Sequence, residues 1–164
     1  MNRELELKDI VGYLPYDLNV VVFREDTRIF TQCIGVMNEY LRCENEYYDD
    51  IFREESEDMK PILRPLSDLY KEITNNGSEP FIPIVELAKI HNPKYKWFFD
   101  ETHAYSTEEK FNYFNGFNSN NRNGKIYNQH QLFDKLHEWK VDYRGLIDAG
   151  LAIDCNTLDN NPYK

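Results

Sequence analysis

The four histidines and their neighbouring carboxylates are the residues best suited to hold a metal ion or to act as general bases. His103 ends the run Asp100-Glu101-Thr102-His103. A metal site needs two or more such ligands converging at bonding distance. Asp142 or the acidic residues of 39–58 would have to complete it. The cluster therefore supplies the first ligands of a candidate site for a metal-assisted hydrolase. By itself it does not predict a metal ion.

The remaining histidines do not add a chelating pair. His130 and His137 lie seven residues apart on one predicted helix, which places them about 10 Å apart along its axis. They share a helix face but are too far apart to bind one ion by themselves. His91 falls on another predicted helix. We interpret His130 and His137 as helix-surface residues, whereas His91 is expected to extend the apolar face of its own helix.

Motifs of the common enzyme classes are missing from the sequence. The chain has no P-loop, no GxGxxG and no HExxH, and no GxSxG surrounds Ser67, Ser78, Ser106 or Ser119. The catalytic residues are therefore unknown, no cofactor is predicted, and the sequence favours a protein that is not an enzyme.

The three cysteines and one arginine are the remaining candidates for a chemical role. Cys33, Cys43 and Cys155 are an odd number without a CxxC pair, which indicates reduced thiols in a cytoplasm, with Cys33 and Cys155 in the core. Arg64 lies on backbone stiffened by Pro61 and Pro65. We expect it to form a buried ion pair with Asp68, the alternative being a residue that contacts a partner.

Length and charge limit the classes of protein that remain. The 164 residues predict a single compact domain over 1–164, and the 41% hydrophobic and 15% aromatic content argues against disorder. The net charge of -10 makes direct nucleic-acid binding unfavourable. No apolar run is long enough to cross a membrane and the first residues do not resemble a signal peptide. We therefore expect a cytoplasmic protein.

Most of the negative charge lies in segment 39–58, which we call the acidic segment. It has nine acids against Arg42 and Arg53, a net charge of -7. Tyr40, Tyr47, Tyr48 and Phe52 are interleaved with the acids. The segment is either a solvated strand pair and loop or a binding surface, and the composition favours the former.

Periodicity and capping signals predict the elements that would position these residues. Leu7, Ile10, Val11 and Leu14 predict an amphipathic helix over 4–13, and the runs at 18–23 and 28–36 predict a hairpin. Further helices are predicted to start at Pro65, at Pro83, at Ser106 with a capping box to Glu109, and at Gln129. The last of these, residues 129–140, buries Leu132, Phe133, Leu136 and Trp139. Residues 115–124 predict an exposed loop, and residues 159–164 a frayed tail.

Strands followed by helices, without strict alternation, favour an α+β fold. We expect an N-terminal antiparallel hairpin or meander with several short helices packed on it.

Four segments resemble a family of small uncharacterised proteins encoded by Bacteroides and related gut bacteria, largely in phage or prophage regions. Family members commonly have Gly at Asp17 and Ile-Asn-Thr-Leu at Cys155-Asn-Thr-Leu158. The resemblance excludes residues 39–58 and 95–127, and because the family has no assigned activity it implies no site residues. The segments are Leu7-Lys-Asp-Ile-Val-Gly-Tyr-Leu-Pro-Tyr16, Lys60-Pro-Ile-Leu-Arg-Pro-Leu-Ser-Asp-Leu69, Trp139-Lys-Val-Asp-Tyr-Arg-Gly-Leu-Ile147 and Gly145-Leu-Ile-Asp-Ala-Gly-Leu-Ala-Ile-Asp-Cys-Asn-Thr-Leu158.

Together these observations favour a small intracellular accessory protein of phage or mobile-element origin that binds a protein partner. One alternative is an acidic inhibitor that mimics nucleic acid and occupies a host DNA-binding protein, with the acidic segment as its charged face. A second alternative is the metal-assisted hydrolase built on His103.

Overall fold

The computed structural model describes residues 4–24, 27–37, 40–44, 51–52, 59–113 and 128–164. It contains helices together with antiparallel and mixed sheets, which confirms the α+β class. Where the sequence predicts one domain, contacts divide the chain into two compact units: Met1–Pro65 with His137–Pro162, and Leu66–Leu136 with Tyr163–Lys164. The acidic segment falls largely, and the Asn/Gly-rich loop 115–124 entirely, outside the described residues.

The first unit is built on a sheet of seven described strands. These are β1 Leu18–Arg24, β2 Thr27–Met37, β3 Tyr40–Glu44, β4 Ile51–Phe52, β5 Met59–Pro65, β9 Val141–Asp142 and β10 Ile153–Asp154. They follow the order β10-β5-β1-β2-β3-β4, with β9 also paired to β5. The strands β1 to β5 form antiparallel pairs, whereas β9 and β10 both run parallel to β5.

The N-terminal meander is confirmed. The hairpin β1–β2 pairs Leu18 with Cys33 and Arg24 with Thr27, and β3 follows antiparallel to β2. Three consecutive valines, Val20, Val21 and Val22, are buried in β1, because β-branched side chains suit a pleated and buried surface. One face of these strands lies in a hydrophobic cluster that includes Leu18, Val20, Val22, Cys33, Cys43, Met59 and Leu63.

The first helix is shorter than predicted. Helix α1 spans Leu7–Ile10, a 3-10 turn follows at Leu14–Tyr16, and Ile10 is buried, whereas Leu7 and Val11 are 40% and 51% exposed. The predicted apolar stripe is thus wrong at two of its four positions. Glu6 and Asp9 form the capping box that starts the helix, and Asp9 is buried.

The second unit contains the predicted Pro83 helix and a small sheet. Helix α2 spans Pro83–His91 and buries Ile84, Leu87 and Ala88, as predicted. A three-stranded antiparallel sheet is formed by β6 Phe98–Asp100, β7 His103–Tyr105 and β8 Lys110–Phe111. Helix α3 spans Gln129–Glu138 and buries Leu132 and Leu136; Phe133 is only half-buried, and Trp139 is buried but lies just beyond the helix.

Three predictions for this part of the chain are wrong. After Pro65 the chain forms only a 3-10 turn, Leu66–Tyr70, and Ile73 pairs with Phe81 as an isolated bridge. The Ser106 hydroxyl accepts the backbone N–H groups of Glu108 and Glu109, as a helix cap does, but the chain then enters β8. A serine turn satisfies these donors equally well between two strands. Tyr163 is fully buried, so the predicted fraying of 159–164 is wrong at this residue.

In the part of the chain that the structure describes, no helix combines the length and apolar character needed to span a membrane.

Candidate functional site

The outer face of the β6–β8 sheet presents a row of three side chains. In antiparallel strands, residues directly opposite one another point to the same face. Phe98 lies opposite Tyr105, and Tyr105 lies opposite Lys110. All three are exposed. We call Phe98, Tyr105 and Lys110 the aromatic row.

The two rings of the aromatic row contact each other and remain open to solvent. Their centroids are 5.7 Å apart with an interplanar angle of 31°, within the range of favourable aromatic pairs. Phe98 is 44% exposed and Tyr105 is 37% exposed. The ammonium group of Lys96 lies 5.2 Å from the centroid of the Phe98 ring, a cation–π distance. The row therefore combines apolar surface with two nearby positive charges.

The opposite face of the same strands fixes the sheet within its unit. Ala104 and Phe111 lie opposite each other and are buried. The Phe111 ring lies 5.1 Å from the His91 ring of α2 and 6.2 Å from the Trp97 ring. The indole Nε1 of Trp97 donates a 3.0 Å hydrogen bond to the carbonyl of Asn92. These contacts hold the outer aromatic row on a packed support.

The predicted carboxylate–histidine cluster lies next to the aromatic row. Asp100 and His103 are paired across the β6–β7 hairpin, with Oδ2 of Asp100 3.6 Å from Nε2 of His103. The Thr102 hydroxyl and Nδ1 of His103 share a 2.9 Å hydrogen bond. Both ring nitrogens thus have neighbours within the hairpin.

A third ligand for this pair is not found among the residues with described positions, where no three His, Cys, Asp or Glu side chains are arranged to hold a metal ion. The carboxylate of Asp142, considered above as a ligand, is buried and accepts the backbone N–H groups of Leu146 at 2.9 Å and Ile147 at 2.7 Å. Its oxygens are thus used to shape the turn after β9. Asp100 and His103 therefore form a polar boundary of the aromatic row.

A second cluster of polar aromatic residues lies in the first unit. Nε2 of His137 and the hydroxyl of Tyr143 share a 2.9 Å hydrogen bond, and Nε of Arg144 donates to the same hydroxyl at 3.2 Å. The Tyr13 ring meets the His137 ring edge-on at 4.9 Å. The buried Tyr13 hydroxyl donates to the carbonyl of Val141 at 2.8 Å. These residues connect the N-terminal turn to the start of β9, which is a structural role.

A buried lysine adjoins this region. Lys140 is buried in a left-handed backbone conformation with φ of 56°. Burial lowers the pKa of Lys140 from 10.5 to about 8, with Arg64 lowering it further and Asp17 and Glu138 opposing the shift. The backbone N–H of Arg64 donates to the carbonyl of Lys140 at 2.8 Å. Lys140 is therefore a candidate for pH-dependent stability.

The other predicted residues are placed separately. Arg64 and Asp68 are both buried, as expected of an ion pair. Asp68 lies 3.3 Å from the ammonium of Lys71, and its pairing with Arg64 stays a prediction. His130 is exposed, and His91 lies 3.9 Å from the carboxylate of Glu109. Cys33, Cys43 and Cys155 are buried free thiols, which confirms the core positions of Cys33 and Cys155.

The aromatic row was not anticipated from the sequence, and the reason lies in its turn. The β6–β7 hairpin turns through Glu101 and Thr102, with Glu101 at a positive φ of 43°. Two-residue hairpin turns are usually recognised by Asn-Gly or Asp-Gly, and neither is present. The two strands, Phe98-Phe99-Asp100 and His103-Ala104-Tyr105, are too short to show an alternation of polar and apolar residues.

Comparisons of the chain with protein-family models, with curated proteins and with solved structures gave no match. The resemblance of segments 60–69 and 145–158 to the phage-associated family therefore stays a prediction.

Proposed function

We propose that this protein acts by binding a protein partner, and that the aromatic row is the surface it uses. The observation that carries the proposal is the pair of contacting, solvent-exposed rings of Phe98 and Tyr105 beside Lys96 and Lys110. Aromatic side chains provide much of the binding energy in protein interfaces, because they bury a large area at a small cost in side-chain entropy.

The rigidity of the row supports this role. Phe98 and Tyr105 stand on strands whose inner side chains are buried against α2 and Trp97. A surface that is already ordered loses little conformational entropy when a partner binds. Exposed aromatic residues therefore gain more from association here than they would on an unsupported loop.

The charges around the row define the chemistry of the partner. Lys96 lies over the Phe98 ring, and Lys110 lies beside Tyr105. At the other end, the Asp100–His103 pair closes the face with polar groups. A matching segment has an apolar or aromatic side chain that covers the two rings and a carboxylate that reaches Lys110. We therefore propose a protein segment in which an apolar anchor stands next to an acidic residue.

The proposal also includes the origin of the protein and the cellular compartment in which it meets its partner. The resemblance of segments 60–69 and 145–158 supports an accessory protein of phage or mobile-element origin. The odd number of free cysteines supports a reducing cytoplasm. The partner would then be a bacterial or phage protein of the same compartment.

A matched set of variants tests the proposal. Phe98→Ser combined with Tyr105→Ser removes both rings from an exposed face, so the fold should be kept. Phe30→Ser is the control, because Phe30 is a 57% exposed aromatic residue on β2. Each immobilised protein is used to capture proteins from the host lysate. A partner is then purified, and its Kd for each variant is measured by calorimetric titration.

We expect the wild type and Phe30→Ser to capture the same partner with the same Kd. The double variant should bind at least ~30-fold more weakly, the effect of losing about 2 kcal/mol at one interface hot spot. Equal binding by the double variant would contradict the assignment of the surface. Failure of the wild type to retain any protein would contradict a binding function.

A further inference from the structure

Two buried cysteines stand directly opposite each other on neighbouring strands. Cys33 of β2 is the register partner of Cys43 of β3. Directly opposed residues in antiparallel strands have Cα atoms about 4.5 or 5.5 Å apart, depending on the type of pair. Both separations lie within the range of about 4.4–6.8 Å that a disulfide bridge spans. The backbone therefore already has the spacing that a cross-strand disulfide requires.

The side chains are also oriented toward each other. Opposed residues share a face of the sheet, and both cysteines lie in the hydrophobic cluster of the first unit. The two thiols are joined by a hydrogen bond, which lowers the pKa of Cys33. The same hydrogen bond, together with burial, raises the pKa of Cys43. Cys33 is therefore the thiol that ionises first, and Cys43 retains its proton.

The pairing differs from that of the third cysteine. Cys155 begins the 3-10 turn Cys155–Thr157 that follows β10, and it is also a buried thiol. It is not the register partner of either Cys33 or Cys43. The chain thus contains one opposed pair and one buried thiol that serves as an internal control.

We propose that Cys33 and Cys43 form an oxidisable dithiol, a modification site that hydrogen peroxide converts to a disulfide bridge between β2 and β3. This inference goes beyond the proposed binding function and does not depend on it. Hydrogen peroxide is close to water in size, so local opening of the strands is sufficient for it to reach the buried sulfur atoms.

The reaction proceeds in two balanced steps. The Cys33 thiolate attacks one peroxide oxygen, the O–O bond breaks, and hydroxide leaves and takes up a proton to give water. This step oxidises Cys33 to a sulfenic acid. Cys43 then loses its proton and attacks the Cys33 sulfur, the S–O bond breaks, and a second water leaves. Overall, two thiols and one peroxide yield one disulfide and two water molecules.

The bridge would fix the pairing of β2 with β3. A β-bulge follows Cys33, because the register shifts between Cys33 and Gly35. Bulges interrupt the ladder of backbone hydrogen bonds. A covalent link next to the bulge therefore holds the two strands together where these hydrogen bonds are interrupted. The link also restricts the unfolded chain between the two cysteines. The oxidised protein should therefore melt at a higher temperature than the reduced protein.

The test treats the native wild-type protein with hydrogen peroxide, in the presence of a reduced low-molecular-weight thiol that reports whether the dose was sufficient. Remaining thiols are then alkylated in denaturant, and the protein is digested without reduction and mapped by mass spectrometry. We expect a cross-linked peptide pair containing Cys33 and Cys43, a loss of two hydrogen atoms in the intact mass, and alkylation of Cys155. Reduction with dithiothreitol should reverse the change.

Two variants complete the experiment. Cys155→Ala should form the same cross-link as the wild type. Cys43→Ala should form none, and should instead gain oxygen at Cys33, because no resolving thiol is present. The proposal would be overturned if the reporter thiol is fully oxidised while Cys33 and Cys43 of the wild type both remain reduced and are therefore alkylated. A cross-link to Cys155 in place of the opposed pair would overturn it as well.

Discussion

The imidazole ring of His137 lies directly against the backbone of Gly12. A Cβ atom added at Gly12 would lie 2.4 Å from both Cε1 and Nε2 of His137, well inside van der Waals contact. The ring has little room to move away, because it meets the Tyr13 ring and its Nε2 is hydrogen-bonded to the Tyr143 hydroxyl. Glycine is therefore required at position 12 by close packing of a neighbouring side chain.

Gly12→Ala should lower the free energy of unfolding by about 1–3 kcal/mol, the usual cost of an added methyl group in a packed site. Urea denaturation monitored by circular dichroism measures the loss. The control is the same change in a His137→Ala background, where the obstructing ring is absent and the added methyl group should cost much less. An equal loss in both backgrounds would show that the steric argument is wrong.

Tyr13→Phe should destabilise the first unit through one lost hydrogen bond. The buried Tyr13 hydroxyl donates to the Val141 carbonyl at 2.8 Å, and a phenylalanine ring leaves that carbonyl without this donor. The Val141 carbonyl still accepts the backbone N–H of Tyr143 at 3.0 Å, so we expect a loss of about 0.5–1.5 kcal/mol in the free energy of unfolding, the net contribution of one hydrogen bond.

Tyr105→Phe is the matched control for this change, since Tyr105 is an exposed tyrosine. It should alter stability by less than about 0.5 kcal/mol. If Tyr13→Phe is as mild as Tyr105→Phe in urea denaturation, the hydrogen bond to Val141 makes no net contribution.

The strongly patterned elements were the ones that sequence could predict. The valine-rich β1 and its partner β2 were predicted because β-branched runs flank a short polar turn. Helix α2 was predicted because Pro83 fixes its first residue and Ile84, Leu87 and Ala88 share one face. By contrast, the helix predicted at Ser106 does not form, because a hydroxyl that accepts two backbone N–H groups is common to helix starts and to turns between strands.

The candidate surface was harder to predict than the fold. Phe98 and Tyr105 come together only through the register of two strands of three residues, and such short strands give almost no periodic signal. The pairing of Cys33 with Cys43 likewise depends on the register of β2 with β3. Spacing along the chain cannot report which residues face each other across strands, since a shift of one residue reverses every side chain.

Leu136→Ala should be among the most damaging changes in helix α3. Leu136 is fully buried, and removing a buried leucine side chain costs about 2–5 kcal/mol. Trp139→Ala should cost a similar amount, since Trp139 is buried just beyond the end of the helix. Thermal melting compares both with Gln131→Ala, a change at an exposed position of the same helix. Unchanged melting of Trp139→Ala would contradict its core position.

Lys140→Met should change the pH dependence of stability in a direction that follows from the buried ammonium. Burial lowers the pKa of Lys140 to about 8, against 10.5 for an ordinary lysine, in surroundings that include Arg64, Asp17 and Glu138. Between these two pH values the unfolded chain binds more protons than the folded protein, so the lysine makes stability rise with pH over this window. Below pH 8 the full cost of burying the charge is present.

The experiment measures urea unfolding of the wild type and of Lys140→Met at several pH values from 7 to 10.5, so that titrations common to both proteins cancel in the difference. Relative to Lys140→Met, the wild type should gain up to about 3 kcal/mol across the window from 8 to 10.5, at about 1.4 kcal/mol for each unit of pKa. Lys94→Met, at an exposed position, is the matched control and should follow the wild type throughout. A constant difference between wild type and Lys140→Met over this window would show that Lys140 carries an ordinary pKa, and that its ammonium reaches solvent in the folded protein.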